Sequence, residues 1–225
     1  MTEAGQPNSP GAVLNTSIVE NHTTVDMPAG IVPEVVHLHM QAFRGYMSAR
    51  LGRGYIRAMI EWFRTYEPGI ALIVKDEEGR LAGYVIGAPL GYGAAMNRDL
   101  LGPAIRATIA RPWLLLDRRI RRTAWGRLKL LAGRRAPPGE VPELPPPTMS
   151  LVGIAVAPES QGRSIGALLV DAFESRAREK NAGSLRLSVY PNNPSARRLY
   201  EKCGWQPFRE PPSPDVSMFY VKPLE

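Results

Sequence analysis

"LVGIAVAPESQGRSIGALLV", residues Leu151–Val170, passes from an apolar run through a polar turn into an apolar pattern of a different period. The run up to Ala157 is rich in β-branched residues and reads as a strand that Pro158 ends. Beyond the turn, Ile165, Leu168, Leu169, Ala172 and Arg176 recur at helical spacing. They predict a helix pressed on the sheet, Arg176 contributing its aliphatic stem. Gln161, Gly162, Arg163, Ser164 and Gly166 put small and polar residues where that helix begins. A helix N-terminus carries unpartnered amides and the positive end of the helix dipole, so a turn of small residues lets backbone approach an anion. The turn has neither the Gly-Lys-Ser/Thr of a P-loop nor the spacing of a dinucleotide turn. Taken alone, it suits an ordinary strand–helix connection as well as a phosphate cradle.

Working outward, "SLRLSV" (Ser184–Val189) is a second strand, and a strand–helix–strand unit with short links is expected to be parallel and right-handed. In "NPSARRLYEKCGW" (Asn193–Trp205), Asn193 is placed to cap a helix and Pro194 to open it. Tyr200 shares a face with Ala196, and Gly204 closes the helix. Upstream, a strand is expected within Asn15–Val25 and helices over Ile31–Phe43 and Gly54–Tyr66. A hairpin over Gly69–Pro89 turns at Asp76–Arg80, and Asp215–Lys222 supplies the last strand. Residues 93–147 read as an insertion. It is helical to Arg135 with breaks at Gly102–Pro103 and Arg111–Pro112, then extended through six prolines in twelve residues. The predicted fold is a mixed α/β sheet flanked by helices. Residues 1–15 form a disordered tail, and 16–225 a single domain.

Composition narrows the classes. With 225 residues, 44% of them hydrophobic, the chain can bury one sizeable core, and no run approaches the ~20 apolar residues of a membrane-spanning helix. The opening "MTEAGQPNSPGAVLN" is not expected to be a secretory signal, because no basic flank leads into an apolar segment. Cys203 is the single cysteine, which excludes an internal disulfide and a multi-thiolate metal site; no metal is expected, and the location is expected to be cytoplasmic. The net charge of +7 is uneven: Arg98–Arg135 holds eleven of the 28 Lys/Arg and two of the 21 Asp/Glu, so the remainder is nearly neutral.

Four pieces at matched spacing then carry a resemblance: "IAVAP" (Ile154–Pro158), "QGRSIG" (Gln161–Gly166), "NPSARRLY" (Asn193–Tyr200) and "GW" (Gly204–Trp205). Together they resemble the GCN5-related N-acetyltransferase (GNAT) family, and the hairpin and the two N-terminal helices before them fit its order. The resemblance implies an α/β fold with a GNAT-like mixed central sheet whose parallel strands splay, plus a basic helical insertion. It implies acetyl-CoA as co-substrate, with no metal. The backbone of Ile154, Ala155 and Val156 would pair with the pantetheine arm, and an N–H of that strand, that of Ala155 or Val156, would polarise the acetyl carbonyl. Amides of Gln161, Gly162, Arg163, Ser164, Ile165 and Gly166 would hold the diphosphate. Asn193 would bond the far end of the arm, and Tyr200 would protonate the leaving thiolate. The family usually has glycine where this chain has Ser164, a small capping residue whose β-carbon is expected to press on the diphosphate.

The implied reaction is direct acetyl transfer to a primary amine of a small molecule. "AFRGYMSARLGRGYIRAMIEWF" (Ala42–Phe63) also resembles a subgroup common among sugar-modifying acetyltransferases, which makes an amino sugar or biosynthetic intermediate the expected acceptor. Two other readings stand beside it: a protein or peptide N-acetyltransferase, and a non-catalytic acyl-CoA-binding module at a membrane. An alkyl amine is mostly protonated near neutrality, so a base or a water chain is useful. His37, His39, Asp26, Glu61 and Glu67 are the candidates, each equally well read as a core or solvated residue. The basic segment 98–135 is open to three roles: a lid, a phosphate-attracting surface, or a peripheral membrane contact. No nucleic-acid motif is present, and no nucleic-acid partner is expected.

Overall fold

A computed structural model describes residues 22–44, 46–111, 144–208 and 216–224. Its elements run β1 (Thr23–Asp26), α1 (Val32–Ala42), α2 (Met47–Arg50), α3 (Arg53–Thr65), β2 (Ile70–Lys75), β3 (Leu81–Pro89), α4 (Gly93–Asp99) and α5 (Leu101–Ile109). There follow β4 (Thr148–Val156), α6 (Ile165–Glu179), β5 (Ser184–Val189), α7 (Pro194–Lys202), β6 (Gln206–Pro207) and β7 (Met218–Pro223). The strands form one mixed sheet of order β1-β2-β3-β4-β5-β7-β6, with β4 and β5 its parallel pair. The expected mixed α/β class is what is found. The tail 1–15 and most of the basic segment, with Trp113, Trp125 and their neighbours, lie outside the described residues.

Two apolar layers sandwich the sheet. On one face, Val32, Val35 and Leu38 of α1 join Ile56, Ile60 and Phe63 of α3 against Ile73, Tyr84 and Ile86. On the other, Ile165, Leu168, Leu169 and Phe173 of α6 lie on Leu72, Val85, Met149 and Leu185. The buried face of α6 is wider than expected: Phe173 and Ala177 are fully buried beside Ile165, Leu168 and Leu169, and Ala172 packs partly against the same layer. Arg176, its side chain 17% exposed as a packed stem would be, pairs with Asp26 at 2.8 Å.

The hairpin forms as read, Gly79 donating to the Asp76 carbonyl at 3.0 Å. The break near Gly102–Pro103 falls earlier, at Leu100, and both residues lie in the first turn of α5. There a proline removes no hydrogen bond, because first-turn amides have no carbonyl four residues back.

One buried polar pair sits in the α1 layer. His39 Nδ1 and the Tyr84 hydroxyl share a hydrogen bond of 2.5 Å, and His39 Nε2 has no partner among the described residues. Burial lowers the imidazole from 6.5 to about 4. It therefore stays neutral in the folded protein while the unfolded chain takes up a proton below pH 6.5. Folding loses stability as pH falls from 6.5 towards 4, by about 2 kcal/mol at pH 5. Urea unfolding at pH 7 and pH 5 measures this. His39→Gln, which cannot titrate, should shrink the difference between the two pH values by about that amount; an unchanged difference would remove His39 as its source.

Candidate active site

The parallel strands part company at a bulge. β4 and β5 pair from Thr148↔Ser184 to Leu151↔Leu187 and no further. On its other side β4 pairs Leu151 with Gly87 and Gly153 with Ile86, so Val152 is an extra residue without a partner. Such a bulge bends and twists the strand that carries it. It also reverses which side chains face which layer. Met149 and Leu151 point into the α6 layer before it and Ile154 and Val156 after it, while Ala155 joins the α1–α3 layer. Beyond Leu151 a gap opens between β4 and β5.

The register decides which backbone groups face that gap. Ala157 donates to the Ala82 carbonyl at 2.8 Å, and in an antiparallel ladder the hydrogen-bonded pairs alternate. The Tyr84–Ala155 pair is therefore also hydrogen-bonded, and Ala155 turns its amide and carbonyl towards β3. Ile154 and Val156 turn theirs into the gap. Gln161 Nε2 reaches the Val156 carbonyl at 3.4 Å.

At the mouth of the gap, Gln161 through Ser164 are exposed. Ser164 adopts the left-handed region, φ 60° and ψ 9°, and its side chain makes no cap hydrogen bond. A side chain there is strained, which gives a local reason for the family's glycine. The first helical bond of α6 runs from the Leu168 amide to the Ser164 carbonyl, 3.1 Å. The amides of Ile165, Gly166 and Ala167 thus lack a helical acceptor. Gly166 has a packing role as well: a β-carbon there would lie 3.1 Å from Leu199 of α7.

α7 is held at both ends. Asn193 Oδ1 accepts from the Ala196 amide at 3.1 Å, the expected cap, with Pro194 in the first turn. At the other end, Gly204 (φ 81°) donates to the Glu201 carbonyl and Trp205 to the Tyr200 carbonyl, 3.0 and 2.9 Å. This double closure needs a residue at ease with positive φ, and its hydrophobic contact is Trp205 on Tyr200, ring centroids 6.0 Å apart. The Gly-Trp pair thereby fixes the tyrosine. Tyr200 is 5% exposed and also faces Tyr220 at 6.0 Å. Burial foremost, then the nearby Tyr46 and Cys203, pushes its hydroxyl well above the usual tyrosine range.

Tyr46 was not among the candidates. It follows α1 and meets Tyr190, just past β5, edge-on with centroids 5.6 Å apart. Burial and Tyr190 raise its phenol too. Tyr46 is thus brought from a distant part of the chain to Tyr190 and Tyr200, where β5 ends. Only Tyr200 belonged to a sequence motif; the convergence of the others had no local signal.

Four of the five base candidates are bonded to other side chains. His37 is exposed and bonded to Gln41 at 3.0 Å, and Glu61 pairs with Arg64 at 2.6 Å. Asp26 pairs with Arg176, and His39 is buried against Tyr84. Glu67 lines a cleft with Pro147 and Thr148 where β4 begins, the opposite end from the gap. Among the described residues no His/Cys/Asp/Glu cluster could hold a metal, and no helix is long and apolar enough to cross a membrane.

Residues 33–205 match the model of the acetyltransferase (GNAT) family. The fold is also that of solved acetyltransferases. A GCN5-related N-acetyltransferase from Kribbella flavida is 14% identical, with TM-score 0.59, over 91% of this chain and 99% of that one. A putative acetyltransferase from Salmonella typhimurium, solved with its cofactor acetyl-CoA, is 13% identical, with TM-score 0.58, over 91% and 95%. Spermidine N-acetyltransferase from Vibrio cholerae, in complex with CoA and spermine, is 15% identical, with TM-score 0.53, over 90% and 95%.

Proposed function

The chain belongs to the GNAT acetyltransferase family, and from that premise we propose that it moves an acetyl group from acetyl-CoA to a primary amine of a small molecule. The observation that carries the reading is the gap between β4 and β5, with the backbone groups of Ile154 and Val156 turned into it and uncapped amides at its mouth. A pantetheine arm needs amide partners in an extended geometry, and a diphosphate needs donors at close range; both sets fit.

Bound acetyl-CoA supplies an activated acyl thioester. Ile154 and Val156 pair with the arm, and Ala155, turned towards β3, spaces them. Ile154, the deeper of the two, offers its N–H to the acetyl carbonyl, where a fixed donor stabilises developing negative charge. Amides from Gly162 to Gly166 hold the diphosphate, with Arg163 exposed beside them; the Gln161 amide, expected among them, is spent on the Pro158 carbonyl at 3.3 Å. Asn193 spends its Oδ1 on the helix cap and keeps its amide NH2 for the arm. Tyr200 hands its proton to the departing sulfur, and burial keeps that phenol protonated across the working pH range. His37, His39, Asp26 and Glu61 are each bonded to another side chain, so this reading gives the acceptor's proton to a water chain rather than to one of them.

Calorimetric titration with CoA should give saturable binding at one site. Incubation with acetyl-CoA and a panel of primary amines should release free thiol only when an amine is present. Absence of heat at any workable CoA concentration would sink the reading.

A further inference from the structure

We infer that Arg186 recognises an oxyanion on the acceptor, so that the preferred substrate is a primary amine that also carries a carboxylate or phosphate. The inference deepens the proposed acetyltransferase reading and rests on it.

Arg186 lies on β5 opposite Ser150, one pair before the last one that joins β4 to β5. Its neighbours Leu185 and Leu187 enter the α6 layer, so its side chain leaves the sheet on the opposite face. The guanidinium carbon stands 4.3 Å from the centre of the Phe219 ring, on β7. Tyr92, at the start of α4, is close enough to act on its charge. Tyr92 in turn touches Phe63 and Trp62 of α3, with centroids 5.8 and 6.4 Å away. The cation is thus half-buried in an aromatic setting, and burial lowers its pKa from the usual arginine value.

Among the described residues no carboxylate pairs with it. Asp99, the acid bonded to the same aromatic group, accepts from the Trp62 indole at 2.9 Å and pairs with Arg98 at 3.2 Å. Other inward arginines behave differently: Arg176, 17% exposed in its side chain, holds both Asp26 and Glu179. A partly desolvated guanidinium without a counter-ion is an unsatisfied group, and its planar fork matches carboxylate or phosphate in a two-pronged bond. Its place counts equally. Coenzyme held by the turn at the mouth directs its thioester end towards the closed end of the gap, and Arg186 sits beside that end. An amine approaching there meets a fixed positive charge, which favours an acceptor with a compensating anion and disfavours a polycation.

Paired acceptors test this: an amino carboxylic acid against its carboxamide, an amino phosphate ester against its alcohol, and spermidine. Wild-type kcat/KM should favour the anionic member of at least one pair by about 10- to 100-fold, the discrimination expected of one charged hydrogen-bonded contact. Whichever pair shows it identifies the anion. Arg186→Gln should collapse the ratio towards one, chiefly through KM for the anionic acceptor, and Arg186→Lys should restore part of it. CoA titration of each variant reports that the fold is intact. Equal rates within both pairs, preference for spermidine, a ratio that survives in Arg186→Gln, or a CoA-binding protein that acetylates none of these amines would each overturn the inference. Failure to bind CoA at all would instead overturn the acetyltransferase reading beneath it.

Discussion

Tyr200→Phe should lower kcat about 100-fold while leaving CoA affinity within about threefold of wild type. The estimate is the low end of what a positioned general acid contributes. The substitution removes one oxygen from a ring held between Trp205 and Tyr220, so the aromatic contacts and the helix closure survive. Stability should change by no more than about 1 kcal/mol, the typical net worth of a single hydrogen bond. Because burial raises the phenol well above the ordinary tyrosine value, wild-type kcat should show no alkaline limb as pH passes 10. Tyr46→Phe is the control that separates two donors, since Tyr46 is the phenol whose charge acts most strongly on Tyr200. Loss of rate in Tyr46→Phe with none in Tyr200→Phe would transfer the acid role to Tyr46.

Which parts of this site could be read from the chain follows from the range of the interactions involved. The capped start of α7 and its glycine closure involve residues within six positions of one another, so "NPSARRLYEKCGW" declares them. The strand, turn and helix over Leu151–Val170 are equally local. The bulge is not. Val152 is an extra residue only by comparison with Ile86 and Gly87, some sixty-five positions earlier, and nothing in "LVGIAV" announces it. That single residue decides that Ile154 and Val156 turn their backbone groups into the gap and Ala155 does not. The same limit applies to Arg176, whose packed stem was legible but whose pairing with Asp26, 150 positions away, was not. It also explains Arg186. Within "SLRLSV" a charged residue at an alternate position reads as the solvated face of a strand, and only the packing of Phe219 and Tyr92 makes it a half-buried cation.

The largest effect on stability is expected from Glu174→Ala. Glu174 is a carboxylate 4% exposed on the buried face of α6. It accepts from the Trp205 indole N–H at 2.8 Å and from the Lys222 ammonium at 2.7 Å, with Arg178 3.7 Å away. Lys222 also donates to the Cys203 carbonyl at 2.8 Å, so this one network ties α6, β7 and the end of α7 together. Removing one partner of a buried ion pair typically costs about 3–5 kcal/mol. The Lys222 side chain is 24% exposed, so water recovers part of its charge and the loss should fall near 3 kcal/mol. Glu174→Gln should lose less, because an amide oxygen can still accept from Trp205. Urea unfolding followed by tryptophan fluorescence measures both. The consequence for activity is specific: with Trp205 released, the closure that fixes Tyr200 loosens, and kcat should fall in Glu174→Ala even at temperatures where the protein remains folded. A Glu174→Ala protein as stable as wild type would mean that the carboxylate contributes nothing beyond its own desolvation. A destabilised one with full kcat would detach Trp205 from the positioning of Tyr200.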